Sequence, residues 1–189
     1  RTGSNNDWVV YHHKNTTAPE TDKLILNETN TTSDDNGAWN DTAPTSSVFT
    51  VGTGSVVNRN SSTYVYYLWS EKKGFSKFGS YTGNGNNDGT FVYTGFKPAW
   101  ILTKKSTESS EWHIYDNKRV TTNPNNNVLS PNANYADSIN ANCNTDFLSN
   151  GFKLRNNNDN RNDSGETHIY MAFAESPFVN SNGVPTTAT

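Results

Sequence analysis

The chain has 189 residues, a formal net charge of −3, 17% charged and 12% aromatic side chains. Mild acidity excludes bulk attraction to nucleic acid, and no run approaches the ~18–20 apolar residues of a membrane span. The aromatic content supplies core material that a disordered chain lacks, while the polarity comes from Asn, Thr, Ser and Gly instead of charge. Cys143 is the single cysteine, so no intrachain disulfide forms.

Taken in order, the chain reads as strands and turns. A polar turn, RTGSNND, leads into the strand WVVYHH, ending at His13. Residues 14–22 are loop, Lys23–Leu26 is a short strand, and Asn27–Asn40 is an Asn/Thr/Asp-rich loop. The turn WNDTAP, Trp39–Pro44, opens into strand Ser47–Val51. Gly52–Ser62 is a second turn, and Thr63–Ser70 is a strand with Val65, Tyr67 and Trp69 on one face. The stretch Gly74–Lys105 follows, with strands at Thr90–Thr94 and Ala99–Lys104 between glycine, asparagine and proline turns. Next come strand Trp112–Asp116, a long loop with the short apolar run Val128–Leu129, and Phe147–Leu154, a hairpin turning at Asn150–Gly151. The polar run Asn156–Gly165 precedes the strongest strand, Thr167–Glu175, and a polar tail, Ser176–Thr189. No segment has helical periodicity.

Two copies of one pattern flank the Gly74–Lys105 stretch. Trp8 and Tyr11 match Trp112 and Tyr115 at a constant offset (112 − 8 = 104). Lys14 and Thr17 match Lys118 and Thr121; Asn58, Thr63, Tyr66 and Glu71 match Asn162, Thr167, Tyr170 and Glu175. An unbroken offset with few identities between anchors marks an old internal repeat. The face Val65, Tyr67, Trp69 repeats as Ile169, Met171, Phe173, so period-2 patterning is preserved. The expected organisation is a first β-sandwich repeat over residues 1–73, a second over 74–175, and a tail over 176–189 available to other subunits. Arg1 aligns with Lys105, so the first copy is expected to be incomplete, without an equivalent of Pro98–Lys104. With no initiator methionine, Arg1 reads as a processed, truncated or merely first-placed residue. The two copies form either two sandwiches sharing the central stretch or one pseudo-symmetric sandwich.

The motifs GFSKFGSYTGNG, FVYTGFKPAWILTKK, WHIYDNKR, DFLSNGFKLR and YMAFAESPF, with WNDTAPTSSVFTVG in the first copy, together resemble a repeat of uncharacterised tail-fibre-like or structural proteins of aquatic bacteriophages and their metagenomic relatives. The resemblance covers nearly the whole chain. It implies an all-β fold of tandem lectin-like sandwiches, concanavalin or jelly-roll in type, in an extracellular or virion-surface protein. It carries over no catalytic residue.

Candidate sites weigh against bland readings. Glu71 and Glu175 close equivalent strands in different copies; a glycosidase pair needs carboxyls roughly 5–10 Å apart, so strand-end pairing is the better reading. Asp7, His12 and His13 could surround a metal, but strand neighbours point to opposite faces. NGNNDG, Asn84–Gly89, has a calcium-loop flavour without the leading Asp or closing Glu, and Asn156–Asp163 is similar in composition. No metal or cofactor is therefore expected. Cys143 would need a nearby base to act as a nucleophile. Trp8, Trp112, Tyr11 and Tyr115 read as core, and Trp39, on a turn, as the candidate glycan contact. Asn15, Asn27, Asn30, Asn40, Asn60 and Asn162 are candidate N-glycosylation sequons.

The expected function is a non-catalytic structural subunit of an extracellular or virion-associated fibre or filament. It would be a homo-oligomer assembled through β contacts, a neighbour supplying strands to the incomplete copy. A carbohydrate-binding adhesin with surface glycans as partners is the alternative, and a glycosidase the third reading.

Overall fold

The tryptophan strands and the central stretch set the architecture. A computed structural model describes residues 6–176. The first copy opens with β1 (Val9–Val10), then β2 (Asp22–Ile25) and β3 (Ser33–Asp34), an antiparallel meander with Val10 opposite Leu24 and Asp22 opposite Asp34. Two single-turn helices follow, α1 (Asn36–Trp39) and α2 (Ser55–Asn58). Four residues are too few for apolar periodicity to register, which is why no helix is legible in the sequence. Asp35 caps α1 by accepting from Gly37 N–H.

The central stretch contributes β4 (Ser76–Thr82), β5 (Phe91–Tyr93) and β6 (Pro98–Lys105). The second copy adds β7 (Trp112–Asp116), β8 (Asn127–Val128), β9 (Ser138–Ile139), β10 (Thr145–Leu148), β11 (Gly151–Leu154), α3 (Asp159–Asn162) and β12 (Thr167–Ala174). β10 and β11 form the expected hairpin, Leu148 facing Gly151 across Asn150.

The described strands are antiparallel throughout, and the fold is all-β. One sheet has the order β4-β12-β6-β7 and another β10-β11-β5. They face each other across a core of Tyr81, Val92, Phe96, Ile101, Tyr115, Phe147, Phe152, Leu154 and Tyr170. Gly79 makes room there: a Cβ at this position would sit 2.7 Å from the Tyr170 ring. The opposite face of the four-stranded sheet is also covered. Trp112 and Ile169 pack with Leu102 against Val10, Leu24 and Leu26 of the first-copy meander. Trp112 Nε1–H donates to Ile25 O at 2.8 Å, and Lys104 Nζ to Thr29 O at 3.2 Å, fastening the copies together. A sheet covered on both faces needs a near-continuous apolar central strand, and β12 is that strand.

Several short elements recur at the 104 offset. α2 and α3 coincide residue for residue at the 104 offset, as Ser55–Asn58 and Asp159–Asn162. α1 overlaps the 3-10 turn Ala141–Cys143, with Trp39 and Cys143 equivalent. The β1–β2–β3 meander returns as β7–β8–β9, with an Ile114–Leu129 bridge joining β7 to β8. Two expected strands are absent. Neither Ser47–Val51 nor Thr63–Ser70 joins a ladder among the described residues. Their equivalents in the second copy, β11 and β12, are both paired to strands of the central stretch.

Candidate assembly site

The site grows from that difference. β12 lies between β4 and β6, with seven of its residues in register with each. The same pattern 104 positions earlier has no such neighbours. No hydrogen bond joins the backbone of residues 65–69 to the described residues, and this stretch lies on the surface outside any helix or strand. Leu68 is 67% exposed, Tyr67 62% and Trp69 58%, with Val65 and Tyr66 also exposed.

Two tyrosines are tied down by their hydroxyls: Tyr64 O–H donates to Ser55 O at 2.9 Å and Tyr66 O–H to Val57 O at 2.7 Å, while Tyr66 packs on Phe49 and Leu68 stays exposed. Their equivalents His168 and Tyr170 face the inner core. The odd-numbered residues turn outward. Trp8, Tyr67 and Trp69 form one stacked row, with successive centroids 6.0 Å apart. Exposed apolar surface of this kind, beside unpaired backbone polar groups, is a template for another chain.

The expectation that Trp8 is core is corrected: it is 48% exposed, although its equivalent Trp112 is buried. Tyr115 is buried and Tyr11 half-buried against Trp39. Trp39 is corrected too. It is buried, its indole N–H donating to Asp22 O at 3.0 Å, so its ring is closed to a sugar. The turn it opens begins only after the residue itself has been folded inward by α1.

The sequons divide by burial. Asn30, Asn40 and Asn60 are exposed and Asn27 half-buried. Asn15 is buried, accepting from Thr32 Oγ1 at 2.8 Å. Asn162 is fully buried, its amide nitrogen donating to Asn84 Oδ1, Asn86 O and Asn156 O at 2.8–2.9 Å. Neither buried amide is open to a glycan in the folded chain. That node also accounts for NGNNDG. The oxygens that would ring a cation accept hydrogen bonds from the Asn162 amide, and Asp88 pairs with Lys153 at 2.9 Å.

The remaining candidates are engaged separately. Glu71 accepts from Phe78 N–H at 2.8 Å and pairs with Lys77; Glu175 pairs with Lys97 at 2.7 Å, whose hydrogen bond holds its carboxyl below the usual range. The His12 and His13 rings stack 5.4 Å apart instead of diverging, because the strand ends at Val10. His12 Nε2–H donates to Tyr170 O at 3.0 Å, and burial lowers its pKa to about 4. Asp7 binds Asn27. No group of three or more His, Cys, Asp or Glu among the described residues could hold a metal. Cys143 is buried, and burial pushes its thiol up, away from nucleophilic chemistry. No helix among the described residues is long and apolar enough to cross a membrane.

Sequence reasoning missed the buried basic group beneath the inner core. His113 and His168 are buried with unpartnered rings, and Tyr81 stacks on His168 at 4.9 Å. Burial lowers His168 to about 4 and holds His113 well below its ordinary value. Lys105 sits beside them; burial opposes its charge, but bonds to Glu108 at 2.7 Å and Asp163 at 3.2 Å outweigh this and leave its pKa raised. Alternation alone could have placed His113 and His168 inside, since each shares a strand face with a core tyrosine.

A family described as a domain of unknown function (DUF7483) matches residues 1–177, so both copies fall within one family unit. The chain belongs to this family. No curated protein and no solved structure matches it.

Proposed function

We propose that the chain is a non-catalytic structural subunit of an extracellular or virion-associated fibre, built from tandem lectin-like sandwich repeats and assembling with copies of itself through β contacts. One observation carries this reading: residues 65–69 are exposed and without a ladder among the described residues, while the equivalent strand β12 is paired along both edges. Strand addition from a neighbouring subunit satisfies the free backbone and buries the side chains. Repeated head to tail, a contact between two different surfaces gives an open fibre, not a closed dimer. The resemblance to tail-fibre-like proteins agrees with this. The tail residues 177–189, a candidate for the inter-subunit contact, lie outside the described residues.

The test is light scattering across a concentration series, with negative-stain imaging of the concentrated sample. Mass that grows with concentration into filaments is expected. A strictly monomeric protein at high concentration overturns the reading.

A second reading, attachment to surface glycans, has one observation in its favour. An open cleft of about 520 Å³ is lined by Asn27, Asn132, Asn134 and the exposed ring of Tyr135, which pairs amides with an aromatic platform. Its test is a glycan array with Tyr135→Ala as the control, in place of Trp39.

A further inference from the structure

We propose that the recess where β12, β6 and β7 come to one end is a binding site for a single sugar ring, whether a free monosaccharide or the terminal unit of a glycan. The site goes beyond the fibre reading and shares no residue with the Asn27 cleft.

Sheet order places it. Glu175 follows β12, Lys97 precedes β6 and Asn117 follows β7, so in this antiparallel arrangement all three stand at the same end of the sheet. Backbone bonds fix them there: Glu175 N–H donates to Lys97 O and Asn117 N–H to Ala99 O, each at 2.9 Å. The loop after β7 forms the other wall, and Asn123 ties it to β10 through both atoms of its amide, each 2.9 Å from the backbone of Phe147. Between these walls lies a recess of about 180 Å³, lined in part by Lys97, Asn117, Lys118, Thr121, Asn123 and Glu175. It is smaller than a drug-sized pocket and suits one small molecule.

The lining selects the occupant. Glu175 Oε2 pairs with Lys97 Nζ at 2.7 Å, and Oε1 accepts from the Asn117 amide at 2.8 Å. Lys118 adds a second positive charge beside Glu175. A simple anion would meet the carboxylate, and a simple cation the two ammonium groups. An apolar molecule would leave the amides without partners. A neutral molecule carrying several hydroxyls suits all of them, because each hydroxyl both donates and accepts. Asn117 Oδ1 is buried with no partner, an acceptor of the kind that folded proteins satisfy.

The repeat supplies an independent observation. Lys118, Thr121 and Glu175 line the recess, and the same residue types stand 104 positions earlier as Lys14, Thr17 and Glu71. Glu71 also pairs with a lysine, Lys77 at 3.4 Å, and the charges of Glu71 and Lys14 both act on His13, the counterpart of Asn117. Polar surface residues kept in two otherwise divergent copies point to recognition, because core packing does not require them.

Amide-resolved NMR titration tests this. Glucose, galactose, mannose and N-acetylglucosamine are added in turn to the dilute, isotope-labelled chain. At least one is expected to shift the backbone amides of residues 117–122 and the Asn117 side-chain amide, saturably. Glu175→Gln removes a charged acceptor at an exposed position and is expected to weaken that binding about tenfold, while Tyr135→Ala leaves it unchanged. A spectrum unchanged elsewhere verifies the fold, and Thr121→Leu, which fills the recess, serves if Glu175→Gln disturbs it. Shifts confined to residues 131–135 overturn the proposal and favour the Asn27 cleft. Larger shifts at 117–122 with inorganic phosphate than with any sugar overturn it in favour of an anion site. No shift with any of the four sugars, or equal affinity in Glu175→Gln, overturns it outright. None of these outcomes bears on the fibre reading, which light scattering decides.

Discussion

His168 shows how one buried side chain couples this fold to acidity. It lies inside the sandwich, stacked on Tyr81, with both ring nitrogens unpartnered. Burial is the main cause of its lowered pKa, about 4, with Lys105 adding to it and Asp163 opposing. An unfolded histidine titrates near 6.5. Between those values the unfolded chain binds the extra proton, so stability is complete above about pH 6.5 and declines as pH falls towards 4. For this residue the loss is about 3 kcal/mol. His12 and His113 act in the same direction. Urea denaturation from pH 7 to pH 4 is expected to show a falling midpoint, with a shallower fall in His168→Phe. A fall of equal steepness in that variant contradicts the assignment. Trp39 gives the complementary residue-scale lesson. Its neighbours spell a turn, and a turn reads as exposed, but α1 closes one residue later and carries the indole inward.

At the scale of elements, the repeat supplies its own control. Residues 63–70 and β12 carry the same sequence alternation, yet Leu68 is exposed where its equivalent Ala172 is buried. Only β12 is a strand. The neighbours of β12 come from the 74–105 stretch, whose β4 and β6 flank β12 and whose β5 flanks β11. Side-chain pattern alone thus does not make a strand; a ladder also needs neighbouring backbone. This is why the sequence pattern marked Trp112–Asp116 to the residue and Thr167–Glu175 to within one, yet overstated Ser47–Val51 and Thr63–Ser70. A local pattern carries no information about whether partner strands are at hand. It follows that adding a second 74–104 segment directly before Arg1 will order residues 65–69. Amide exchange there is expected to slow at least tenfold in a monomeric fusion; exchange as fast as in the parent chain would show that the central stretch is not what β12 depends on.

In the molecule as a whole, the internal duplication was the most informative feature of the sequence, because an offset kept from Trp8 to Glu71 reports three-dimensional equivalence directly. It did not foretell the helices α2 and α3, which lie in stretches that read as a turn and a polar run, since single turns leave no periodic trace. It did not reveal that one copy lies across the other, with Leu24 sealing Trp112, because each apolar residue there is equally compatible with its own sandwich. Nor did it reveal the bare aromatic row, which emerges only when Trp8 and Tyr67 are seen stacked and exposed together. Those two findings are a packed seam between Leu24 and Trp112 and, apart from it, an exposed aromatic row. The direct measurement is amide hydrogen exchange at residues 64–69 as protein concentration rises. Rapid exchange in dilute monomer that slows on assembly is the expected result; exchange that stays rapid at every concentration, or is already slow in the monomer, would contradict it.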